Sequence, residues 1–268
     1  MIDILRGVVA PYASHREKQH RLREYLQEML LKLIEQNKIG HRIGFVGGTA
    51  LRILFDLNRF SEDLDFSLLD HDPFDFQKIL ETLKRELVLR GFAVELTRKE
   101  VGAVKSSFIK FRKVLFDVGL SPYEDEKLSV KFEIDTNPPP GFKTQTTLIS
   151  KSSLIEVVHF DRPSLFAGKC NALLCRTYAK GRDYYDLLWY VAQKIVPNYL
   201  LIENGFMQTQ HQRIPFDFEI LKKMLLEKIQ SVDFEKIRKD VEPFLIDPTE
   251  IRYFEREKFI RVVDAWSI

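Results

Sequence analysis

The stretch that most constrains this chain runs from Phe45 to Leu68 and reads FVGGTALRILFDLNRFSEDLDFSL. A short apolar run leads into a glycine pair, Gly47 and Gly48, and a helical pattern from Thr49 to Leu57 follows it. A polar break then separates this pattern from a segment in which apolar and acidic residues alternate. This order predicts a strand, a tight turn, one helix and a second strand.

The second of these strands carries two acidic residues, Asp63 and Asp65. Because successive side chains of a strand point to opposite faces, both carboxylates lie on one face. Together they form half of a site for a hard cation such as Mg²⁺. The glycine turn lets the backbone approach a ligand, and the first N–H groups of the next helix can receive phosphate. Either feature alone is more often structural, but the combination is what a nucleotidyl transfer needs.

A third carboxylate is predicted from the segment Leu128 to Asp135, in which apolar and ionised residues alternate. If this strand pairs beside the first acidic strand, Glu133 or Asp135 reaches the same site. The alternative is an edge strand with one solvated face. The sequence NPPPG at Asn137 to Gly141 ends the strand, because proline cannot donate to a ladder.

The later part of the chain is predicted to be mainly helical. A helix from Arg162 to Lys180 places Lys169 and Arg176 two turns apart on one face, where they can hold a triphosphate or simply face solvent. In the next helix, Asp183 and Asp186 are one turn apart on one face, although Asp183 can also cap that helix. We expect a long loop at Asn198 to Pro215, either a mobile connection or an acceptor-binding element.

The bulk composition excludes several classes of protein. The chain has 268 residues, of which 45% are hydrophobic and 30% charged, so it is not a disordered protein. The net charge of +2 neither requires nor forbids a nucleic-acid partner. Its two cysteines lack the spacing of a zinc site or a structural disulfide, and neither a signal peptide nor a membrane span is apparent. We expect a cytoplasmic protein with domains at 1–155 and 156–268.

Four separated motifs resemble those of the AbiEii/AbiGii toxin family, within the nucleotidyltransferase fold shared by DNA polymerase β and CCA-adding enzymes. The resemblance covers about Gly44 to Tyr190, with the motifs in the family's order. Glu133 matches the family's third acidic residue, whereas relatives often have Asn where this chain has Asp135. The motifs are GGTAL with Arg59 to Phe66, VKFEI at Val130 to Ile134, KxxALxxR at Lys169 to Arg176, and RDxxDL at Arg182 to Leu187.

The resemblance implies an α+β fold, in which a nucleotidyltransferase-fold mixed sheet with helices is followed by a mainly helical C-terminal half. The active site would lie between the two halves. Family members are toxins of toxin–antitoxin or abortive-infection systems; some bind GTP, and the related MenT toxins add pyrimidine nucleotides to the tRNA 3′ end. A cognate antitoxin, an NTP and a tRNA or other RNA acceptor are therefore the expected partners.

The resemblance also assigns roles to residues. Mg²⁺ would be bound by Asp63, Asp65 and Glu133. The triphosphate would be held by Gly47, Gly48, Thr49, Ser61, Lys169 and Arg176, although Ser61 is as well placed for a local turn. Asp183 or Asp186 would either hold Lys169 or help to deprotonate the acceptor.

Two other functions stay open from the sequence. The same donor site can transfer a nucleotide to a protein hydroxyl instead of RNA. The chain can also be a nucleotide-binding module without catalysis that sequesters a partner. The presence of every acidic position argues against the non-catalytic alternative, because an inactive relative would tolerate the loss of one.

Overall fold

The computed structural model describes residues 1–70, 72 and 74–267, with side chains described throughout these ranges except at 98–101. The residues divide into two compact units that interleave along the chain. The first unit comprises Met1–Leu54, Phe60–Asn137 and Gln145–His159, and the second comprises Phe55–Arg59, Pro138–Thr144 and Phe160–Ile268. The division at residue 155 stays a prediction.

The first unit is built on a mixed β-sheet, which confirms the predicted fold class. Its described strands follow the order β3-β4-β5-β2-β1-β7-β6, in which β2 is antiparallel to β1 and parallel to β5. In chain order the elements are α1 (Ile2–Val9), α2 (His15–Gln36), β1 (Ile43–Val46), α3 (Gly47–Phe55), β2 (Asp63–Leu68), α4 (Phe76–Leu89), β3 (Val94–Val101), β4 (Val104–Phe111), α5 (Val114–Asp117), β5 (Leu128–Asp135), β6 (Thr144–Ser150) and β7 (Leu154–Phe160).

Strand β5 shows how the sheet separates its two faces. Every second residue is buried, beginning with Leu128, and the residues between them stay partly exposed. Phe132 packs against Phe66 of β2 and Phe76 of α4, and α2 also contacts β5. Burying one such side chain contributes about 1.5–3 kcal/mol, and a one-residue slip would put the charged residues in the core. Burial of the apolar residues therefore fixes the register of β5, and it leaves Glu133 and Asp135 on the partly exposed face of the sheet.

The second unit is mainly helical, as predicted. Two short 3-10 helices, Glu242–Phe244 and Pro248–Tyr253, lie between the last two α-helices. None of the helices in the described part of the chain combines the length and apolar character that crossing a bilayer requires. The α-helices are α6 (Arg162–Cys175), α7 (Gly181–Ala192), α8 (Tyr199–Gln210), α9 (Phe218–Ser231), α10 (Phe234–Val241) and α11 (Arg256–Asp264).

Two local predictions in this unit were wrong, and the capping alternative for Asp183 is not what the structure shows. Helix α6 ends at Cys175 rather than Lys180, and Arg176 follows it in extended conformation, so Lys169 and Arg176 do not share a helix face. Most of the predicted loop at Asn198 to Pro215 is α8, because Asn198 caps it by accepting from Leu201 N and one side of the helix is buried. Asp183 is the third residue of α7, whose N-cap is Lys180 without a side-chain bond.

Candidate active site

The predicted site residues fall into two groups, one in each unit. The first unit holds the acidic strands and the glycine turn, with Gly47, Gly48, Thr49, Ser61, Asp63, Asp65 and Glu133. The second unit holds the cationic and acidic residues of the helices, Lys169, Arg176, Asp183 and Asp186. That both groups act on one triphosphate stays a prediction.

The pairing of β2 with β5 brings three carboxylates to one face of the sheet. These strands are parallel, and their register sets Asp63 opposite Lys131 and Asp65 opposite Glu133. Side chains of directly paired residues point to the same face, so all four share one surface. Asp63, Asp65, Lys131 and Glu133 are all partly exposed there, in contrast to the buried residues between them. Chain segments some 70 residues apart thus meet at one acidic surface.

The register also separates the two candidates for the third carboxylate. Asp135 pairs with Ser67 rather than with an acidic residue, and its Oδ1 accepts the N–H of Asn137 at 2.9 Å. Burial raises the pKa of Asp135, although the Asn137 bond opposes this shift. Glu133, beside Asp65, is the better-placed candidate for a third ligand, in agreement with the family resemblance.

We predict that Glu133→Gln lowers nucleotide transfer by roughly 10²-fold or more, since a metal ligand that carries charge contributes several kcal/mol to catalysis. Asp135→Asn, the matched change two residues along the same face, should alter the rate only a few-fold. Transfer of labelled nucleotide under saturating NTP measures both effects. A larger loss for Asp135→Asn than for Glu133→Gln would reverse the assignment.

The start of α3 requires glycine at its first position, Gly47. Gly47 has φ +79°, a conformation that costs other residues energy. A Cβ there would overlap Asp65 Oδ2 and lie 3.0 Å from the Cβ and Cγ of Asp65. The backbone of α3 therefore begins directly against the Asp65 carboxylate.

The neighbouring polar residues hold this arrangement together. Thr49 is fully buried, and its hydroxyl donates to the carbonyl oxygen of Asp63, which ties α3 to β2. Gln27 Nε2 of α2 donates to the carbonyl oxygens of Ser61 and Asp63, at 3.2 and 3.5 Å. The side chain of Thr49 is thus committed to the fold, so its predicted phosphate contact is left to the backbone N–H.

We predict that Gly47→Ala both destabilises the protein and reduces nucleotide transfer by at least tenfold. The left-handed backbone alone costs alanine about 1–2 kcal/mol, and the added methyl group also displaces Asp65. Gly119→Ala is the matched control, because Gly119 has φ +74° but nothing within 4 Å of an added Cβ. Thermal melting by circular dichroism should show losses in both variants, with activity lost only at Gly47. Equal activity in the two variants would contradict the close approach to Asp65.

Lys131 is a site residue to which sequence reasoning gave no role. Its Nζ lies 2.8 Å from Glu133 Oε2, and it shares the acidic face. Partial burial lowers the pKa of Lys131, but the bond to Glu133 and the fields of Glu133, Asp63 and Asp65 outweigh this and raise it overall. The signal in the sequence was the same-face spacing of a lysine and a glutamate on one strand.

The donor set of the first unit fits Mg²⁺ in its chemistry, since all three side chains offer carboxylate oxygens. Among the residues that the structure describes, no three His, Cys, Asp or Glu side chains are gathered closely enough to hold a metal ion. Lys131 contacts one of the three carboxylates instead. Metal binding would therefore require side-chain movement without any change of strand register.

In the second unit, Lys169 lies between the two aspartates of α7. Its side chain is 12% exposed, with its Nζ 2.7 Å from Asp183 Oδ1 and 2.8 Å from Asp186 Oδ2. Burial opposes the charged form of Lys169, but the two carboxylates prevail and raise its pKa. These contacts favour the alternative in which the aspartates hold Lys169 in place.

Arg59 completes this network from a distant part of the chain. It is 2% exposed, and its Nε and Nη2 donate to the two oxygens of the buried Asp186, each at 2.7 Å. Bidentate pairing of this kind fixes both position and orientation. Sequence reasoning noted Arg59 only as part of a motif, because nothing local indicates a partner 127 residues away.

Asp183 is shared between two cations. It accepts from Lys169 and from Arg176, whose side chain is 37% exposed. Burial tends to raise the pKa of Asp183, but the two cations outweigh it and lower the pKa overall. A carboxylate with a lowered pKa is a poor proton acceptor, so the deprotonating role is not favoured for Asp183. With Arg59, Lys169 and Arg176 against two aspartates, the network has an excess of one positive charge.

Comparison with known families decides what this arrangement belongs to. The family model described as "Nucleotidyl transferase AbiEii toxin, Type IV TA system" matches residues 29–261. The chain belongs to the AbiEii nucleotidyl transferase toxin family. The match spans both units and includes every predicted site residue, so the resemblance seen in the four motifs is confirmed.

Solved structures agree with the AbiEii assignment at the level of the fold. JHP933 from Helicobacter pylori is similar with a TM-score of 0.54 and 18% identity, covering 90% of each chain. A putative nucleotidyltransferase from H. pylori has a TM-score of 0.54 and 19% identity, covering 88% of this chain and 91% of its own. No curated protein matches the chain significantly. Family and fold together indicate a toxin nucleotidyltransferase.

Proposed function

We propose that this chain is a Mg²⁺-dependent nucleotidyltransferase that transfers a nucleotide from an NTP to RNA, with the tRNA 3′ end as acceptor. Its biological role would be that of a toxin restrained by a cognate antitoxin. The observation that carries the proposal is the register of β2 and β5, which sets Asp63, Asp65 and Glu133 on one face beside the Gly47 turn. Three carboxylates next to a close-approach glycine suit a nucleotide triphosphate and its metal.

In the proposed reaction an acceptor hydroxyl oxygen bonds to the α-phosphorus of the NTP, the bond from that phosphorus to the bridging oxygen breaks, pyrophosphate leaves, and the hydroxyl proton passes to water. Asp63, Asp65 and Glu133 would hold Mg²⁺, which stabilises charge on the phosphates and lowers the pKa of the acceptor hydroxyl. The backbone N–H groups at the start of α3 would donate to phosphate oxygens. Lys169 and Arg176 would neutralise the leaving pyrophosphate, with Asp183 and Asp186 keeping Lys169 in position.

An exposed aromatic side chain favours RNA over a protein hydroxyl as acceptor. Phe108 of β4 is 43% exposed, and its register partner is Lys131 of β5. Its ring therefore lies on the same sheet face as the carboxylates. Stacking of a base on an aromatic ring contributes about 1–3 kcal/mol and suits single-stranded acceptor ends.

The test is a transfer assay with the purified protein, Mg²⁺ and each of the four α-labelled NTPs in turn. Total RNA and a protein lysate freed of RNA serve as separate acceptors. We expect label on RNA of tRNA size, and its loss when EDTA is added. Replacing tRNA by tRNA lacking its 3′-terminal hydroxyl is the matched control, and it should accept no label.

The remaining outcomes identify the alternatives. Label on protein and none on RNA would mean nucleotide transfer to a protein hydroxyl. Absence of label on both acceptors with every NTP, while the protein still binds NTP, would mean a non-catalytic nucleotide-binding module. Either result would overturn the proposed reaction.

A further inference from the structure

Lys131 places a positive charge among the carboxylates proposed to bind metal. Its Nζ is 2.8 Å from Glu133 Oε2, and its register partner on β2 is Asp63. The fields of Asp63 and Asp65 act on the same ammonium group. Three carboxylates on one face repel each other, and a single ammonium group offsets part of that repulsion.

The contact between Lys131 and Glu133 is one that a metal ion can displace. The side chains of Lys131 and Glu133 are 31% and 21% exposed, so water screens the attraction between their charges. A divalent cation carries twice the charge and binds carboxylate oxygens directly. The lysine ammonium sits on a flexible stem of four carbons, so it can leave Glu133 without movement of β5.

We propose that Lys131 is a resident counter-ion, which holds Glu133 in the metal-free protein and leaves it when a divalent cation binds. The released ammonium group stays on the acidic face and then pairs with the anionic triphosphate. Lys131 is in this sense a positioning residue. Its charge pairs with Glu133 in the metal-free site and with the triphosphate in the metal-bound site. The inference rests on the metal-binding part of the proposed function, because it takes Asp63, Asp65 and Glu133 as the metal ligands, and it does not require transfer.

The experiment is a titration of the metal-free protein with Mn²⁺, followed through the electron paramagnetic resonance signal of the free ion. Lys131→Met removes the competing charge and keeps the aliphatic stem. We expect it to bind Mn²⁺ roughly fivefold more tightly than the wild type. In the wild type Mn²⁺ must first displace Lys131 from Glu133, and a partly exposed ion pair of this kind weakens binding by about that factor. Lys131→Gln should behave in the same way, and it replaces the methionine variant if that variant does not fold.

Lys110→Met is the matched control for a general charge effect. Lys110 lies on β4, and its register partner is Ser129 of β5. Ser129 is on the same face of β5 as Lys131 and precedes it, on the side away from Glu133. Its loss changes the net charge by the same amount without touching Glu133. Its Mn²⁺ affinity should stay within about twofold of the wild type, because exposed charges at a distance are screened.

Three results would overturn the proposal. The first is that Lys131→Met binds Mn²⁺ no more tightly than the wild type. The second is that Lys131→Met and Lys110→Met gain the same Mn²⁺ affinity, and the third is that neither the wild type nor any variant binds Mn²⁺. Nucleotide transfer is measured separately on the same samples. Tighter Mn²⁺ binding by Lys131→Met without transfer to any acceptor by the wild type would refute the proposed function and leave the role of Lys131 standing.

Discussion

Asp63→Asn is expected to lower nucleotide transfer by roughly 10³-fold or more while leaving the protein folded, because a catalytic metal ion supplies several kcal/mol of transition-state stabilisation. The substitution keeps the size of the side chain and removes the charge that binds the cation. Labelled-nucleotide transfer at Mg²⁺ and NTP concentrations that saturate the wild type measures the effect. Raising Mg²⁺ should restore part of the activity, since the two other carboxylates remain.

The structure predicts that this variant folds. The contacts that fix Asp63 in the fold are made by its backbone carbonyl oxygen, which accepts from Thr49 and Gln27, and asparagine keeps that oxygen. Asp70→Asn is the matched control, because Asp70 forms an ion pair with Arg42 and has no assigned role in transfer. Its activity should match the wild type. Substantial transfer by Asp63→Asn would remove Asp63 from the metal site and with it the proposed mechanism.

Asp186→Ala is expected to destabilise the second unit by about 3–5 kcal/mol, the usual cost of breaking a buried ion pair by removing one partner. Asp186 is fully buried and binds both Arg59 and Lys169. Its loss leaves the buried Arg59 and the largely covered Lys169 with one carboxylate, Asp183, to share. Such a loss approaches the total stability of a small domain.

The two tryptophans make this loss measurable. Trp189 and Trp266 both belong to the second unit, so urea denaturation followed by their fluorescence reports on that unit alone. Asp183→Ala is the comparison, because its partner Arg176 is 37% exposed and can return to water. We expect a clearly smaller loss for Asp183→Ala. Equal losses of unfolding free energy in the two variants would show that the bidentate pair of Arg59 and Asp186 contributes no more to stability than the ion pairs of Asp183.

Several elements could be predicted because their signals are local. Strand β5 was predicted with its observed ends, since its apolar residues alternate strictly and NPPPG stops it. Strand β2 was also predicted, with Asp63 and Asp65 on one face of it. In both cases burial of one face follows directly from the periodicity of the residues.

The local errors have equally local causes. Helix α8 was predicted as a loop because its last turns carry glutamines, whereas its buried side is defined by residues such as Ile202 and Phe206. Arg176 was placed on a helix because nothing in the sequence after Cys175 marks the end of α6. Tertiary contacts decided both points, since Arg176 bonds to Asp183 from its extended position.

The sequence by itself determined which residues are acidic, which turns need glycine and which family the chain resembles, because these depend on residue types at short spacing. Only the tertiary structure decided that β2 lies parallel to β5, that Asp65 faces Glu133, and that Arg59 binds Asp186. These pairings join segments far apart in the chain, and they are selected by burial of the apolar face and by the cost of an unpaired buried charge. Neither quantity can be read from a segment alone, since each depends on which other segment covers it.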